Sequence, residues 1–356
     1  MTQFKLQKPD WHERLQGKKA VVGLDGFIDT LTRPIRAGAS GSRPEYFATL
    51  NEFGHYIAQR SGRSASVELD PFDERIGGNA PNMASGLLAL NVNTRLAGTL
   101  GVPALHPLFQ TAFEASCVLS LANPGQSISY EFSDGKLMCA INRDVNALDW
   151  ASLINRIGLA ALEAFYQDST LAAFVNWSEM QHAGELWEGV IEHIFDTTGY
   201  PEWMFFDLSD CSRKSADELR LVTQLMRRCA SRSKTVLSLN ENEKNAICAA
   251  LTISGNATGQ DLLSALDGYA VVYHYLSQTH AFDKNSSYTF QNHVVQKPRI
   301  STGGGDNFNA GLCAALLAGY PLSQAAMVGS FCGSYYVEFG RSASFEALER
   351  GIRDLI

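Results

Sequence analysis

The chain has 356 residues, 45% hydrophobic and 19% charged, with 30 glycines and a formal net charge of -8. That balance belongs to a globular protein and excludes fibrous and disordered classes, while the acidic surplus excludes a phosphate-tracking nucleic-acid binder, which needs clustered Lys and Arg. No apolar run approaches the roughly 20 residues that cross a bilayer, and the N-terminal stretch MTQFKLQKPDWHERL lacks the apolar centre of a signal peptide, so no membrane partner is expected and the cytoplasm is the expected compartment.

In chain order, residues 20–24 form a short apolar run that predicts a strand. Residues 30–75 then break into polar sequence with Arg33, Arg36 and Arg43, interrupted by a predicted helix carrying Tyr46, Leu50, Phe53 and Ile57 on one stripe. A helix at 82–90, a strand at 94–100 and two alternating strands around Asp134-Gly135, within 127–141, come next. Helical periods at 151–165, 185–195 and 216–228 then alternate with strand-like runs at 171–175, 203–208, 234–239 and 269–273. Such alternation predicts an α/β fold, a doubly wound and mostly parallel sheet flanked by helices. The stretches 30–75 and 127–141 read as excursions that make a small β-lid, and the absence of a long linker predicts one domain over 1–356.

The seven cysteines are odd in number and scattered, with no C-x-x-C pair, so neither a disulfide framework nor a zinc knuckle is indicated. No H-E-x-x-H, Walker loop or G-x-S-x-G elbow occurs. In the one stretch near G-x-G-x-x-G, from Gly303, Phe308 stands in place of the third glycine.

Two glycine-rich segments carry chemistry. Residues 301–311 read Ser301-Thr302-Gly303-Gly304-Gly305-Asp306-Asn307-Phe308-Asn309-Ala310-Gly311, ahead of an apolar helical run at 312–317. Three successive glycines predict a loop feeding a helix N-terminus, where unpaired N–H groups of Gly303, Gly304 and Gly305 make an anion site. A carboxylate there repels the anion. Asp306 makes chemical sense as the base that takes a proton from a nucleophile attacking a bound phosphoryl group; as an N-cap it would only start the helix. In the second segment, Gly77-Gly78 lets a ligand approach the backbone, and Asn82 offers donor and acceptor to hydroxyls; a turn with a capping Asn explains the same letters.

Together these segments resemble the ribokinase, or phosphofructokinase B, family of carbohydrate and nucleoside kinases. Gly77, Gly78, Asn82 and Ala84 match its first signature, and Thr302, Gly303, Gly305, Asp306, Phe308 and Gly311 its second. The resemblance spans about 20–348. It implies a ribokinase-like fold with a β-lid and transfer of the γ-phosphoryl group of ATP to a hydroxyl of a sugar or related small molecule, with Asp306 as general base. Gly303, Gly304 and Gly305 would hold the phosphate, and Asp29, a better match than Asp25 to the family's sugar-holding Asp, would bind the acceptor with Gly77, Gly78 and Asn82. Asn240-Glu241-Asn242-Glu243 is similar to the family's N-x-x-E motif, which implies magnesium held by Asn240 and Glu243, largely through water, with Asp207 joining them. A capping box explains the same residues. Lid edges offer a surface for a homodimer.

The sequence departs from the family at three places. Ile300 stands where relatives carry an Asp, which removes a ligand from any monovalent-cation site, and Gly304 replaces an Ala. Residues 274–280, His274-Tyr275-Leu276-Ser277-Gln278-Thr279-His280, replace a T-x-G-x-x-G loop against the nucleotide, which predicts a looser donor site with little choice among purine triphosphates. A non-catalytic sugar or nucleotide sensor and a nucleoside kinase are the competing readings.

Overall fold

The structure, a computed structural model, describes residues 8–37, 43–253, 258–300 and 302–352. Ser301, at the head of the glycine-rich loop, and residues 1–7 lie outside them, as do 38–42 within the first excursion. In chain order the strands are β1 (Lys19–Gly23), β2 (Phe27–Ala37), β3 (Glu45–Tyr46), β4 (Leu69–Gly77), β5 (Asn93–Gly98), β6 (Val118–Ser120), β7 (Gly125–Phe132) and β8 (Gly135–Ile141). They continue as β9 (Leu171–Phe174), β10 (Trp203–Asp207), β11 (Lys234–Leu239), β12 (Ala270–His274), β13 (Gln278–Asp283) and β14 (Ser287–Gln291).

Nine strands form the main sheet in the order β14-β13-β12-β11-β10-β9-β1-β5-β6, parallel from β6 to β12 and closed by the antiparallel pairs β12-β13 and β13-β14. Its central strands β1, β9, β10 and β12 are mostly apolar because both faces are covered, whereas the edge strand β14 alternates with solvent. Val22, Phe205 and Val272 point into one core with the helices Asn79–Ala89, Gly304–Leu317 and Leu322–Phe339. Their neighbours Val21, Phe206 and Val271 point into the other, beneath the helices from Trp150 to Leu266. This is the doubly wound, mostly parallel sheet the alternation predicts.

The second sheet, in the order β3-β2-β7-β8 with β4 also paired to β2, is the lid. The excursions contain more strand than their polar composition suggests. Tyr46 lies in β3, outside the helix predicted to carry it, because Thr49 caps the helix Leu50–Ala58 by accepting from the Glu52 N–H at 3.1 Å. The stripe is only half used: Phe53 is buried and Ile57 is exposed. The predicted helix at 151–165 is two helices, Trp150–Ile157 and Leu159–Tyr166, broken at Gly158 with φ of 76°. Gly304 and Gly305 lie inside the helix Gly304–Leu317, so the loop proper ends at Gly303.

The helices Asn79–Ala89 and Gly304–Leu317 cross at Gly86, where a Cβ would sit 2.6 Å from the Cβ of Ala310 and 3.2 Å from Oδ1 of Asn307. The missing side chain sets their distance. Gly86→Val is expected to lose about 1–3 kcal/mol of stability by overpacking. Gly54→Ala, in an open part of the lid helix, should gain about 0.5–1 kcal/mol. Urea unfolding of both variants checks this; equal effects at the two glycines would remove the packing argument.

Candidate active site

A cleft of about 830 Å³ opens where the parallel strands end and the lid begins. The carboxyl ends of an open α/β sheet are where loops diverge and ligands collect. Here Asn176 lies just past β9, Asp207 ends β10, Asn240 follows β11 and His274 ends β12. The lid contributes Phe27, Asp29, Ser127, Met138 and Ala140, and the two glycine-rich segments contribute Gly78, Asn79, Asn82, Gly303, Gly305 and Asp306.

At the head of the helix Gly304–Leu317, Gly303 adopts a left-handed conformation, φ 84°, and any Cβ there would lie 2.8 Å from the Tyr336 ring. The first helical bond is donated by the Asn307 N–H to the Gly303 carbonyl, at 3.1 Å. The N–H groups of Gly304, Gly305 and Asp306 precede it and have no helical acceptor, and no side chain caps them. The free N–H groups thus start one residue later than the Gly303, Gly304 and Gly305 set the sequence predicts. Asp306 is not the N-cap; it is the third helical residue, and its carboxylate is buried, with Oδ2 accepting from Asn82 Nδ2 at 3.2 Å. Asn82 is likewise no cap. It lies in the first turn of its own helix and reaches across to the other.

Gly77 and Gly78 divide their work. A Cβ at Gly77 would overlap the Asp29 carboxylate, so this buried glycine makes room for Asp29 and does not line the cleft. At Gly78, φ 92°, a Cβ would lie 2.6 Å from Oδ2 of Asp25. Asp25 escaped the sequence reading, which preferred Asp29. It is fully buried and accepts from the N–H groups of Asn79 (2.9 Å) and Ala80 (2.8 Å) and from Asn176 Nδ2 (2.6 Å), so it caps the Asn79–Ala89 helix from a distance. Burial pushes its pKa up to about 6. Asn176 escaped too: its Oδ1 is buried, without a partner, and the residue lines the cleft. Nothing in an Asn after an apolar run marks it, except its place at a strand end.

Asn240 caps the helix Glu241–Ala250 in a capping box with Glu243, so that reading of N-x-x-E holds in the structure, and both residues also line the cleft. Asp207 accepts from the Ser209 N–H at 2.9 Å and from Asn309 Nδ2 at 2.6 Å, and Asn309 in turn accepts from Ser238 Oγ at 2.7 Å. Asp25, Asp207, Glu243 and Asp306 therefore stand buried together, bonded to amides and backbone N–H groups. Burial raises the pKa of Asp306 well above the usual carboxylate range, and the charges of Asp207, Asp25 and Glu243 push it further. Burial, then Asp207, raises that of Glu243. A divalent cation would offset this negative field. Among the described residues no three acidic, His or Cys side chains converge on one point.

The segment 274–280 is a tight hairpin, with the Tyr275 N–H donating to the Gln278 carbonyl at 2.9 Å. Leu276 points into solvent, 82% exposed, and Thr279 is buried, donating to Asn292 Oδ1. Of this segment His274 alone lines the cleft. Ile300 is buried, and the N–H groups of Arg299 and Ile300 both donate to the Val337 carbonyl.

Residues 5–354 match the model of the prokaryotic ketohexokinase family. The chain belongs to that family. It is thus a carbohydrate kinase that draws its phosphoryl group from ATP. A ketohexokinase of Haloferax volcanii is 24% identical over 342 residues, covering 94% of this chain and 91% of the relative. The fold is shared with Arabidopsis thaliana ribokinase, solved with ribose and ATP, at 14% identity and a TM-score of 0.65 over 94% of this chain and 98% of that one. The adenosine kinase of Sinorhizobium meliloti shares it at 16% identity and a TM-score of 0.65, over 95% and 99% of the two chains. Among the described residues no helix is long and apolar enough to cross a membrane.

Because burial raises its pKa, Asp306 keeps its proton in the folded state to a higher pH than in the unfolded chain. Its ionisation therefore costs folded-state stability as the pH climbs above about 4. Without magnesium, Asp306→Asn should be more stable than the wild type at pH 8, and the gain should fade towards pH 4. Urea unfolding across that range checks it; a variant less stable at pH 8 would show that the carboxylate holds the fold together.

Proposed function

We propose that this kinase transfers the γ-phosphoryl group of ATP to a hydroxyl of a ketohexose, with Asp306 as general base. The observation that carries the reading is the buried Asp306 carboxylate in the same helical turn as the free N–H groups of Gly304 and Gly305. As the acceptor oxygen attacks phosphorus, its O–H bond breaks and the proton passes to Asp306, while the bond from the γ-phosphorus to the leaving oxygen of ADP opens. A raised pKa suits this task, since a base works best with a pKa near the working pH. Asn82 holds Oδ2, which leaves Oδ1 for the acceptor. The N–H groups meet the charge that grows on the transferred group.

Asp29 stands on β2 between Arg75 of β4 and Ser127 of β7, where a carboxylate accepts from sugar hydroxyls, and the unpartnered Oδ1 of Asn176 offers a second acceptor. Gly78 and Asn82 border the same space. Asn240 and Glu243, with Asp207, would hold magnesium through water, and the ion would neutralise charge on the donor phosphates. On the helix Leu322–Phe339, Gly333, Tyr336 and Val337 face the phosphate loop. The adjoining stripe, Met327, Ser330 and Ser334, lines a groove of about 580 Å³ with Phe290 and His293, which supports placing the base and ribose there. The ketohexose comes from the name of the Haloferax volcanii relative.

A coupled ADP-release assay over ketohexoses, aldohexoses and nucleosides should give the highest kcat/KM with a ketohexose such as D-fructose. Asp306→Asn should lower kcat by roughly 10²- to 10⁴-fold, and Asp29→Ala should act mainly on the acceptor KM. Turnover with nucleosides alone would overturn the acceptor assignment, and near wild-type kcat in Asp306→Asn would remove the base. The outer lid strand β8 is exposed along its length, with Leu137, Met138 and Ile141 in solvent, which supports pairing of two copies through the lid. Sedimentation velocity at micromolar concentration should show a dimer; a monomer would rule the pairing out.

A further inference from the structure

We propose that Glu179 makes this kinase selective for uncharged acceptors: by holding Arg213 it takes the cleft's one cation out of use, so that sugars already carrying a phosphate are turned away. The inference rests on the kinase reading above and sets a limit on its acceptor class.

Arg213 is the one Lys or Arg among the described residues that line the cleft, against six carboxylates. It ends the short turn Cys211–Arg213 after β10, and its Nη2 donates at 2.5 Å to Oε1 of Glu179, which follows β9. Asp210 adds a second negative charge beside it. Both members of the pair meet solvent, the Arg213 side chain 65% and the Glu179 side chain 28% exposed, so an incoming ligand reaches them directly. Lys214, the next residue, belongs to a different groove, with Nζ 4.7 Å from the centre of the Trp177 ring and 3.5 Å from Glu218. On the lid, Arg75 and Lys136 lie outside the lining, the first facing Asp73 and Asp29 and the second Glu131 and Asp29.

The pair belongs to the acceptor wall. Ser209, in the same loop as Arg213, accepts from Asn79 Nδ2 at 3.2 Å, and Asn79 follows Gly78. The Gln181 N–H, two residues from Glu179, donates at 3.3 Å to Asn146 Oδ1, beyond the lid strand β8. A guanidinium binds phosphate through a planar fork of parallel N–H bonds, and a carboxylate that takes those donors competes directly. Such an exposed pair adds little stability, yet it decides what the cleft can hold. A neutral polyol needs only hydroxyl partners, which the amides of Asn79 and Asn82 supply. A phosphate on the acceptor would meet Glu179, Asp210 and Asp29 with no free cation to offset them, which is selection by repulsion.

The test titrates fructose and fructose 6-phosphate calorimetrically into wild type, Glu179→Gln and the double variant Glu179→Gln, Arg213→Gln. In wild type, fructose 6-phosphate should bind at least about 100-fold more weakly than fructose. Glu179→Gln removes the competing charge and keeps the shape, so the ratio of the two dissociation constants should shift towards fructose 6-phosphate by about tenfold or more, and added salt should shrink the shift. The double variant should lose the gain, since the cation has gone. The ratio is read within each variant, so a general loss of folding or affinity does not mimic the effect. Equal affinities in wild type, or an unchanged ratio in Glu179→Gln, would overturn the proposal. So would a gain that survives in the double variant, which would show that Arg213 is not the group Glu179 holds back. Failure of the wild type to bind either sugar while it binds ADP with magnesium would overturn the acceptor site of the kinase reading, a result distinct from these.

Discussion

Four carboxylates are kept out of water, three of them, Asp207, Glu243 and Asp306, lining the cleft and Asp25 buried outside its lining, and most of the surrounding structure can be understood as what holds them there. An ionised carboxylate in low dielectric is costly unless it is bonded or paired. Here the bonds come from amides and helix N-termini. Asp25 takes the first two N–H groups of the Asn79–Ala89 helix and the Asn176 amide, Asp207 takes Asn309 and a backbone N–H, Glu243 takes Asn240, and Asp306 takes Asn82. Those bonds leave a net negative field facing the free N–H groups of Gly304 and Gly305. Burial and those neighbouring charges together hold the Asp306 carboxyl above the usual carboxylate range.

Chain path converts that electrostatic requirement into shape. Between β1 and β2 the backbone passes from the body into the lid, and within five residues it places Asp25 under one glycine and Asp29 under the next. Gly78 and Gly77 return from the lid by β4 and leave room for these two carboxylates in turn. The same short crossing thus fixes the N-terminus of the Asn79–Ala89 helix and the cleft-facing wall of the lid. Asn82 then links that helix to the Gly304–Leu317 helix, whose separation Gly86 sets by close approach to Ala310.

A tight turn can take up bulky residues without crowding the cleft beside it. The hairpin at 274–280 lacks glycines, yet its largest apolar side chain, Leu276, is turned into solvent at the tip. Period-two alternation explains the result: once β12 and β13 pair, residues of the turn cannot all face one side. The side chain left against the phosphate loop is the last one before the turn, His274.

The sequence by itself determined the doubly wound sheet, the lid, the glycine-headed helix and the family, because each rests on local or periodic features. Apolar runs buried on both faces mark parallel strands, and helical spacing marks the layers between them. Glycine followed by an apolar helix marks a phosphate loop, and short spacings carry the family signatures. Asp306, Asn82, Gly78 and Asp29 were legible for the same reason. Only the tertiary structure decided what depends on partners distant along the chain. Asp25 became a cap for a helix 54 residues on, Asn176 entered the cleft, Asn309 came to bond Asp207, Gly77 turned away from the cleft, and the polar excursion became strands by pairing with one another. A hydrogen bond or a close approach between such residues exists only after the chain has closed on itself, and no pattern along one segment contains it.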